Sequence, residues 1–477
     1  MKIDWELFPI KLHYLVRFCG TGPLTPFLPV IARHKGVSST VISLIWTVMP
    51  FVSLISKTCA GALSDYFRVH RQVFLGSLML MIVSFIGIYF TPDIVPHASS
   101  NASADAAEML SNWTEPEAHN ESHYVPDPES STTGELLRRY EFWLLFLCLL
   151  GQYCGHITTI TMQETICFSL IGDALHKYGE QRLWGTLGWG ISAVAGGALV
   201  DWYSRGMLKP DYAPAYSIAV VFLTIDLVIV GRLRFSITPV KMDPKKVRGI
   251  FKIPAVLLVL ITTVVVGASC GMIWTFQLLL VEDVAKMWDS NFPFTKLLQG
   301  ILVFVQCLLS EMPFFYLAGH IIAKIGHFYS FFLALLAFCV RLCFYYTVTN
   351  PWWFIPIELV HGMSFGLAYA TMASYANSIT PKGAEATTQA IFGAAFFGGT
   401  GVGGLVGGWL FEIMTGWKAF LTAGIANGIY ALIFLAIHLI ISQSTKSQHV
   451  RGRKEGKPNE SAAEEEMEKL QGVNNIT

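Results

Sequence analysis

The sequence predicts an all-α polytopic membrane protein, with twelve transmembrane helices arranged as two six-helix bundles. Three observations lead there. The 477 residues are 53% hydrophobic and only 14% charged, with a mean hydropathy of +0.50, too little charge for a water-facing surface of this size. Mostly apolar stretches of about 20 residues, enough to cross a bilayer, recur along the chain. A basic segment at 236–252 divides those stretches six and six.

Taken in order, the stretches lie near 10–32, 40–62, 72–91, 141–171, 184–203, 214–235, 253–279, 297–322, 328–348, 353–378, 385–411 and 418–441. Met1 to Lys11 is mixed, and the apolar run after it is too long and too Pro-rich for a signal-peptide core, so it reads as the first span. Pro23, Pro26 and Pro29, with Gly20 and Gly22, predict a bend within it. The stretch 141–171 exceeds one perpendicular crossing and is expected to tilt or to project from the bilayer. Trp143, Trp184, Trp202, Trp352, Trp353, Trp409 and Trp417 fall at stretch ends, as an interfacial belt requires. The nine cysteines all sit in apolar stretches, without zinc-like spacing to histidines, and read as small apolar fillers.

Orientation follows from the cations. With the N-terminus inside, the inner segments hold 21 Lys and Arg and the outer loops hold 9, which favours both termini in the cytoplasm. The long loop 92–139 then lies outside, and it carries three N-glycosylation sequons, at Asn101, Asn112 and Asn120. Sequons imply passage through the secretory pathway, with the plasma membrane the first expectation and an endomembrane the second. The expected organisation is a first bundle over 1–235, the basic linker 236–252, a second bundle over 253–441 and a disordered, charged tail over 442–477. The formal net charge is zero, so nothing points to nucleic acid.

The two halves repeat. Gly61-Ala-Leu-Ser-Asp65-Tyr-Phe-Arg68-Val-His-Arg71 follows the second span, and Gly319-His-Ile-Ile-Ala323-Lys324 closes the eighth, an offset of 258. Gly196-Gly197 with Trp202 in the fifth span matches Gly403-Gly404 with Trp409 in the eleventh, an offset of 207. The two offsets differ by 51, roughly the length of loop 92–139, so a parallel repeat with one inserted loop explains both.

The motif Gly61-x-Leu63-Ser64-Asp65, followed by Arg68 and Arg71, resembles the cytoplasmic signature of the major facilitator superfamily. Pro9-Ile-Lys11-x-x-Tyr14 with Pro26-Phe-Leu-Pro29, Arg182-Leu-Trp184-Gly185, Gly188-Trp-Gly190, Glu311-Met-Pro313-Phe-Phe315 and Glu358-x-x-His361-Gly362 resemble the major facilitator superfamily domain-containing protein 6 family. The likeness covers about residues 8–441. Two departures stand out: Tyr66 occupies a position that is usually basic, and Ala323 replaces the acid of the second copy. The resemblance implies two six-helix bundles rocking about a central site.

Charged side chains inside a bilayer cost roughly 2.5–3.5 kcal/mol each on insertion scales, so they are the functional candidates. They are Arg17, Lys57, Glu164, Asp226, Glu311, Arg341, Glu358 and His361. Glu358 and His361, three apart, share a helical face. Glu311, Arg341, Glu358 and His361 together resemble the proton-coupling set of the oligosaccharide/proton symporters, with the order of Glu and His reversed. A carboxylate whose proton affinity is changed by a moving Arg is one reading; a buried ion pair that joins helices is the other. Gln163-Glu164 could meet a polar substrate or only pack, and Asp226 is expected to pair with another helix. His156 reads as a hydrogen-bonded core histidine and Lys57 as a snorkelling one-turn neighbour of the interface. Gly61, Asp65, Arg68 and Arg71 read as a gate latch between bundles. The glycine run from Gly398 to Gly408 lies in an apolar span with no strand before it, which marks close helix packing and not nucleotide binding.

With no Walker motif, nucleophile elbow or metal cluster in the sequence, neither an enzyme nor a cofactor is expected. The expected function is secondary transport: proton-coupled symport of a small polar solute, sugar- or nucleoside-like by family likeness, by a monomer in the lipid bilayer. The alternative is a cell-surface receptor on a transporter scaffold, with loop 92–139 as its ectodomain.

Overall fold

The computed structural model describes residues 7–94, 133–171, 178–207, 209–233, 252–380 and 385–455. The three loop sequons, nearly all of the basic linker and the tail past Glu455 lie outside the described residues. Every regular element among the described residues is helical. Among the described residues, ten helices are long and apolar enough to cross a membrane. One of them, Thr295–Thr347, has 53 residues and contains two of the predicted spans. It breaks at Gly326, where φ is 80°, a left-handed conformation that glycine adopts without steric cost. The predicted tenth span is present as a broken run, Phe354–Glu358, a π turn at Gly362–Gly366 and then Leu367–Ile379. The twelve-span expectation is consistent with this set.

The first span bends where its prolines stand. Helix Phe8–Thr21 gives way to a 3-10 turn at Thr25–Phe27 and resumes at Leu28–His34. Pro26 and Pro29 occupy first-turn positions, where a backbone N–H has no helical partner to lose. Two boundaries need correction. The seventh span runs on to Trp288, so Glu282, Asp283 and Lys286 are helical rather than in a loop. The last helix, Gly416–Glu455, continues past the expected span end at 441, so the tail begins as helix. A helix closes its own backbone hydrogen bonds and need not stop at the membrane surface.

Lipid offers no hydrophobic drive between helices, so small residues that let backbones approach carry the packing. Spans five (Tyr178–Tyr203) and eleven (Glu385–Ile413) show it in parallel. A methyl group on Gly196 would strike Pro23 of the first span, and one on Gly197 the Lys296 backbone of the eighth. A methyl on Gly403 would overlap the Ala268 carbonyl of the seventh span, and one on Gly404 would touch Thr47 of the second. The neighbours of span five are thus the first and eighth, and those of span eleven the seventh and second. The repeat seen in the sequence is therefore a repeat of contacts, and the five–eight and two–eleven pairs join the halves. Val83, Leu147, Leu432 and Ile440 are exposed, as lipid-facing positions are.

At the end predicted to lie outside, the halves are tied by charge. Arg33 Nη1 donates to Asp283 Oδ1 at 2.8 Å, and His34 Nε2 and Glu282 Oε1 lie 2.7 Å apart. Lys296 Nζ sits 3.5 Å from Glu282 Oε2, and the backbone N–H groups of Lys296 and Leu297 donate to Asp201 at 3.2 and 2.7 Å. Arg33, Lys286 and Lys296 were expected as loop cations; they are members of this network, and Lys296 is only 2% exposed. At the other end, Gly61, Gly319 and Gly393 face open space.

Candidate functional site

In the second half the predicted charges converge. Arg341, on the ninth span, and Glu358, at the end of Phe354–Glu358, are both fully buried and form an ion pair through Nη2 and Oε2. Tyr345, one turn after Arg341, donates to Glu358 Oε1 at 2.5 Å and accepts from Arg341 Nε at 2.9 Å. Gln306 Nε2 donates to Glu358 Oε2 at 2.6 Å and to Gln277 Oε1 at 2.9 Å. A buried charge is tolerable when it is paired and hydrogen-bonded, and both of these carboxylate oxygens accept hydrogen bonds.

His361 connects this pair to Glu311. Arg341 Nη1 donates to His361 Nδ1 at 2.7 Å, and a guanidinium cannot accept, so Nδ1 is the unprotonated nitrogen. The ring proton is then on Nε2, which points at Glu311 Oε2 3.9 Å away. Glu311 closes a π-helical turn, Val305–Glu311, that faces the π turn Gly362–Gly366. Ser310 Oγ binds the two together: it accepts from Gly362 N at 2.5 Å and donates to the Leu359 carbonyl at 2.6 Å. π turns loosen the backbone register and are frequent at functional sites. Unlike Glu358, Glu311 keeps 14% of its side chain exposed.

The first half carries its own cluster. Asp226 of the sixth span pairs, as expected, with another helix: its Oδ1 is 2.7 Å from His13 Nδ1 on the first span. His13 Nε2 is 3.2 Å from Gln163 Oε1, which also accepts from Arg17 Nη1 at 3.0 Å. Arg17 reaches His156 Nδ1 at 3.3 Å, which makes His156 a hydrogen-bonded core residue. Gln163 therefore belongs to this buried network, whereas Glu164 beside it points elsewhere, to Arg182 of the fifth span at 3.2 Å.

Arg182 stands on the side of the first half that faces the second. It is 38% exposed, and it lies within electrostatic range of Glu311 and of Tyr369, as Glu164 does of Tyr369. Aromatic rings stand beside this polar zone. Phe365 stacks on His361 with centroids 5.2 Å apart, and Trp274 meets Phe365 edge-on at 5.7 Å. The arrangement is a polar zone, with acids and an arginine from both halves and flat aromatic rings on the second.

Of the sequence candidates, Glu311, Arg341, Glu358 and His361 form one connected set, Gln163 and Asp226 a second, and Glu164 pairs with Arg182 apart from both. Lys57 is half-buried on the second span. The predicted latch is described in part. Ser64 Oγ donates to the Gly61 carbonyl at 2.8 Å, and Arg68 ends the helix in the left-handed region with φ 56°. Arg68 and Arg71 are exposed, and the side chain of Asp65 lies outside the described residues. His13, Tyr345, Gln306 and Gln277 do not stand out in the sequence, because they are polar without a fixed charge. Tyr345 could have been found from its four-residue spacing to Arg341. Glu282 and Asp283 fall past the predicted end of the seventh span at 279 and Lys296 just before the eighth, so their network with Asp201 of the fifth is not visible in the sequence.

Comparison with known proteins agrees with this architecture. The model of the MFS_1 like family matches residues 7–422. Maltose permease of Geobacillus stearothermophilus is 24% identical over 440 residues, covering 90% of this chain and 94% of the permease. Major facilitator superfamily domain-containing protein 6-like of Danio rerio is 21% identical over 463 residues, covering 84% of this chain and 82% of the relative. The crystal structure of nucleoside transporter NupG superposes with a TM-score of 0.68 at 14% identity, covering 91% of this chain and 99% of that one, a likeness of fold. On its family match and its helical architecture, the chain is a membrane transporter of the major facilitator superfamily and belongs to the MFS_1 like family.

Proposed function

We propose that this transporter carries a small polar solute, sugar- or nucleoside-like, in symport with protons by alternating access. One observation carries the proposal. Glu311 is partly exposed, beside a His361 whose other nitrogen is held by the Arg341–Glu358 pair, and within electrostatic range of Arg182 from the opposite half. A carboxyl in that position can exchange a proton with the central space, and its environment changes whenever the halves move relative to one another. Solute bound between Glu164–Arg182 and Tyr369 would sense the same movement. Likeness to a maltose permease and to the fold of a nucleoside transporter favours a polyol-bearing solute.

The ionic contacts at the predicted outer end favour an inward-facing state, and we take the carrier to be a monomer with both termini cytoplasmic, at the plasma membrane. The test is proton flux into proteoliposomes while sugars, nucleosides and small organic acids are offered in turn. A solute that drives proton entry with the native chain and not with Glu311→Gln supports the reading. Folded native protein that moves protons with none of them refutes it.

A further inference from the structure

The buried cluster of the first half holds a feature that the second does not. His13 is fully buried and each of its ring nitrogens faces an oxygen: Nδ1 faces Asp226 Oδ1 at 2.7 Å and Nε2 faces Gln163 Oε1 at 3.2 Å. The amide orientation of Gln163 is fixed independently, because Arg17 Nη1 donates to the same oxygen at 3.0 Å and could not donate to an amide nitrogen. A neutral imidazole has one N–H and can serve one of these two acceptors. Both contacts are made only if the His13–Asp226 pair holds one further proton. That proton can sit on the ring, as imidazolium beside carboxylate, or on Asp226 Oδ1, donating to Nδ1 while Nε2–H donates to Gln163. The proton count is the same either way. His361 and His156 differ from His13, since each accepts from an arginine at Nδ1 and needs no extra proton.

We infer that His13 and Asp226 form a second, buried proton-binding site in the first half, separate from Glu311, and that its proton sets the His13–Gln163 contact between the first and fourth spans. When the proton leaves, one N–H remains for two acceptors and one contact breaks. Asp226, as the ion, retains Nδ1–H, so the His13–Gln163 contact is the one lost and Gln163 is left to Arg17 alone. Gln163 is followed by Glu164, the partner of Arg182 in the central zone, so the event is passed one residue along the fourth span to the candidate solute site.

The groups around the site are these. From the first span Arg17 opposes a positive ring and Tyr14 lies 5.9 Å away ring to ring. From the fourth span come Gln163, His156 and, further out, the negative Glu164; from the fifth, the positive Arg182; from the sixth, Asp226. The third span offers Phe74, edge-on at 5.1 Å, which excludes water from the ring. Asp226 Oδ2 is buried and makes no hydrogen bond of its own, a costly state for a full carboxylate and one that a shared proton relieves.

The site does not depend on the transport reading, and its test reads the proton directly. The full chain, labelled with 15N-histidine and reconstituted in lipid nanodiscs, is followed by solid-state NMR and by infrared spectroscopy from acidic to alkaline pH. The expected result is a ring signal with both nitrogens protonated that vanishes in His13→Gln, or a protonated-carboxyl band that vanishes in Asp226→Asn. Each variant removes the same single proton, so one that folds is enough. If folded variants remove only a neutral ring signal and no carboxyl band at any pH, the inference is overturned.

Discussion

The Arg341–Glu358 pair makes the sharpest energetic prediction. Both side chains are fully buried, and Glu358 accepts from Arg341, Tyr345 and Gln306. Replacing Glu358 by Leu leaves a guanidinium in the bundle with only Tyr345 and His361 beside it. Removing one member of a buried pair costs about 3–5 kcal/mol, because the other charge stays desolvated without compensation. At 1.4 kcal/mol per tenfold change, the lower figure is roughly a hundredfold loss in the folded-to-unfolded ratio. Arg341→Leu has the same logic with the sign of the stranded charge reversed, and a similar cost. The double change strands neither charge. It removes the desolvation of two ions along with their attraction, and so costs less than either single change. The assay is denaturation in mixed micelles, with the unfolding free energy read for the native chain, both singles and the double. A double variant whose loss equals the sum of the singles would refute the reasoning, since the two charges would then be energetically independent.

Other perturbations test other parts. Gly403→Val places a branched side chain against the Ala268 carbonyl and should destabilise the seventh–eleventh contact by about 1–3 kcal/mol, seen as a lower midpoint in the same denaturation assay. Lys296→Met removes a cation from Glu282 and should loosen the ionic end, read as faster labelling of a cysteine introduced at Val194 by a membrane-impermeant thiol reagent; unchanged labelling would mean that the network does not hold that end closed. Lys35 lies between the first and second spans, where burial lowers its proton affinity below the ordinary value of 10.5 while Asp93 partly offsets the effect. The unfolded chain then binds more protons than the folded one in the window just below 10.5, so Lys35 makes stability rise with pH there, and Lys35→Met should flatten that rise.

Much of this architecture is visible in residues alone, for identifiable reasons. Apolar length fixes where helices lie, and charge in an apolar run is so costly that Arg341, Glu358 and Glu311 announce themselves. What escapes is anything whose cost is cancelled by a partner distant in sequence. Glu282 and Lys296 looked like loop residues because each alone would penalise a span, yet together they extend the seventh and begin the eighth. His13 carried no signal: an uncharged ring in an apolar run gains meaning only when Asp226, 213 positions away, is beside it. The glycines of spans five and eleven were legible as a repeat, but that one helix uses successive glycines against two different neighbours is a fact of three dimensions.

The ionic end also bears on affinity. If parting its contacts costs about 1 kcal/mol each, three of them hold the alternative form, open at that end, to roughly one molecule in a hundred. A solute arriving from the latched side meets mostly closed doors, and its apparent dissociation constant there is raised by that scarcity while the intrinsic constant is unchanged. One binding site would then show two half-saturation concentrations, low from one face of the membrane and high from the other. Weakening the latch would bring them together without altering a single residue that touches the solute.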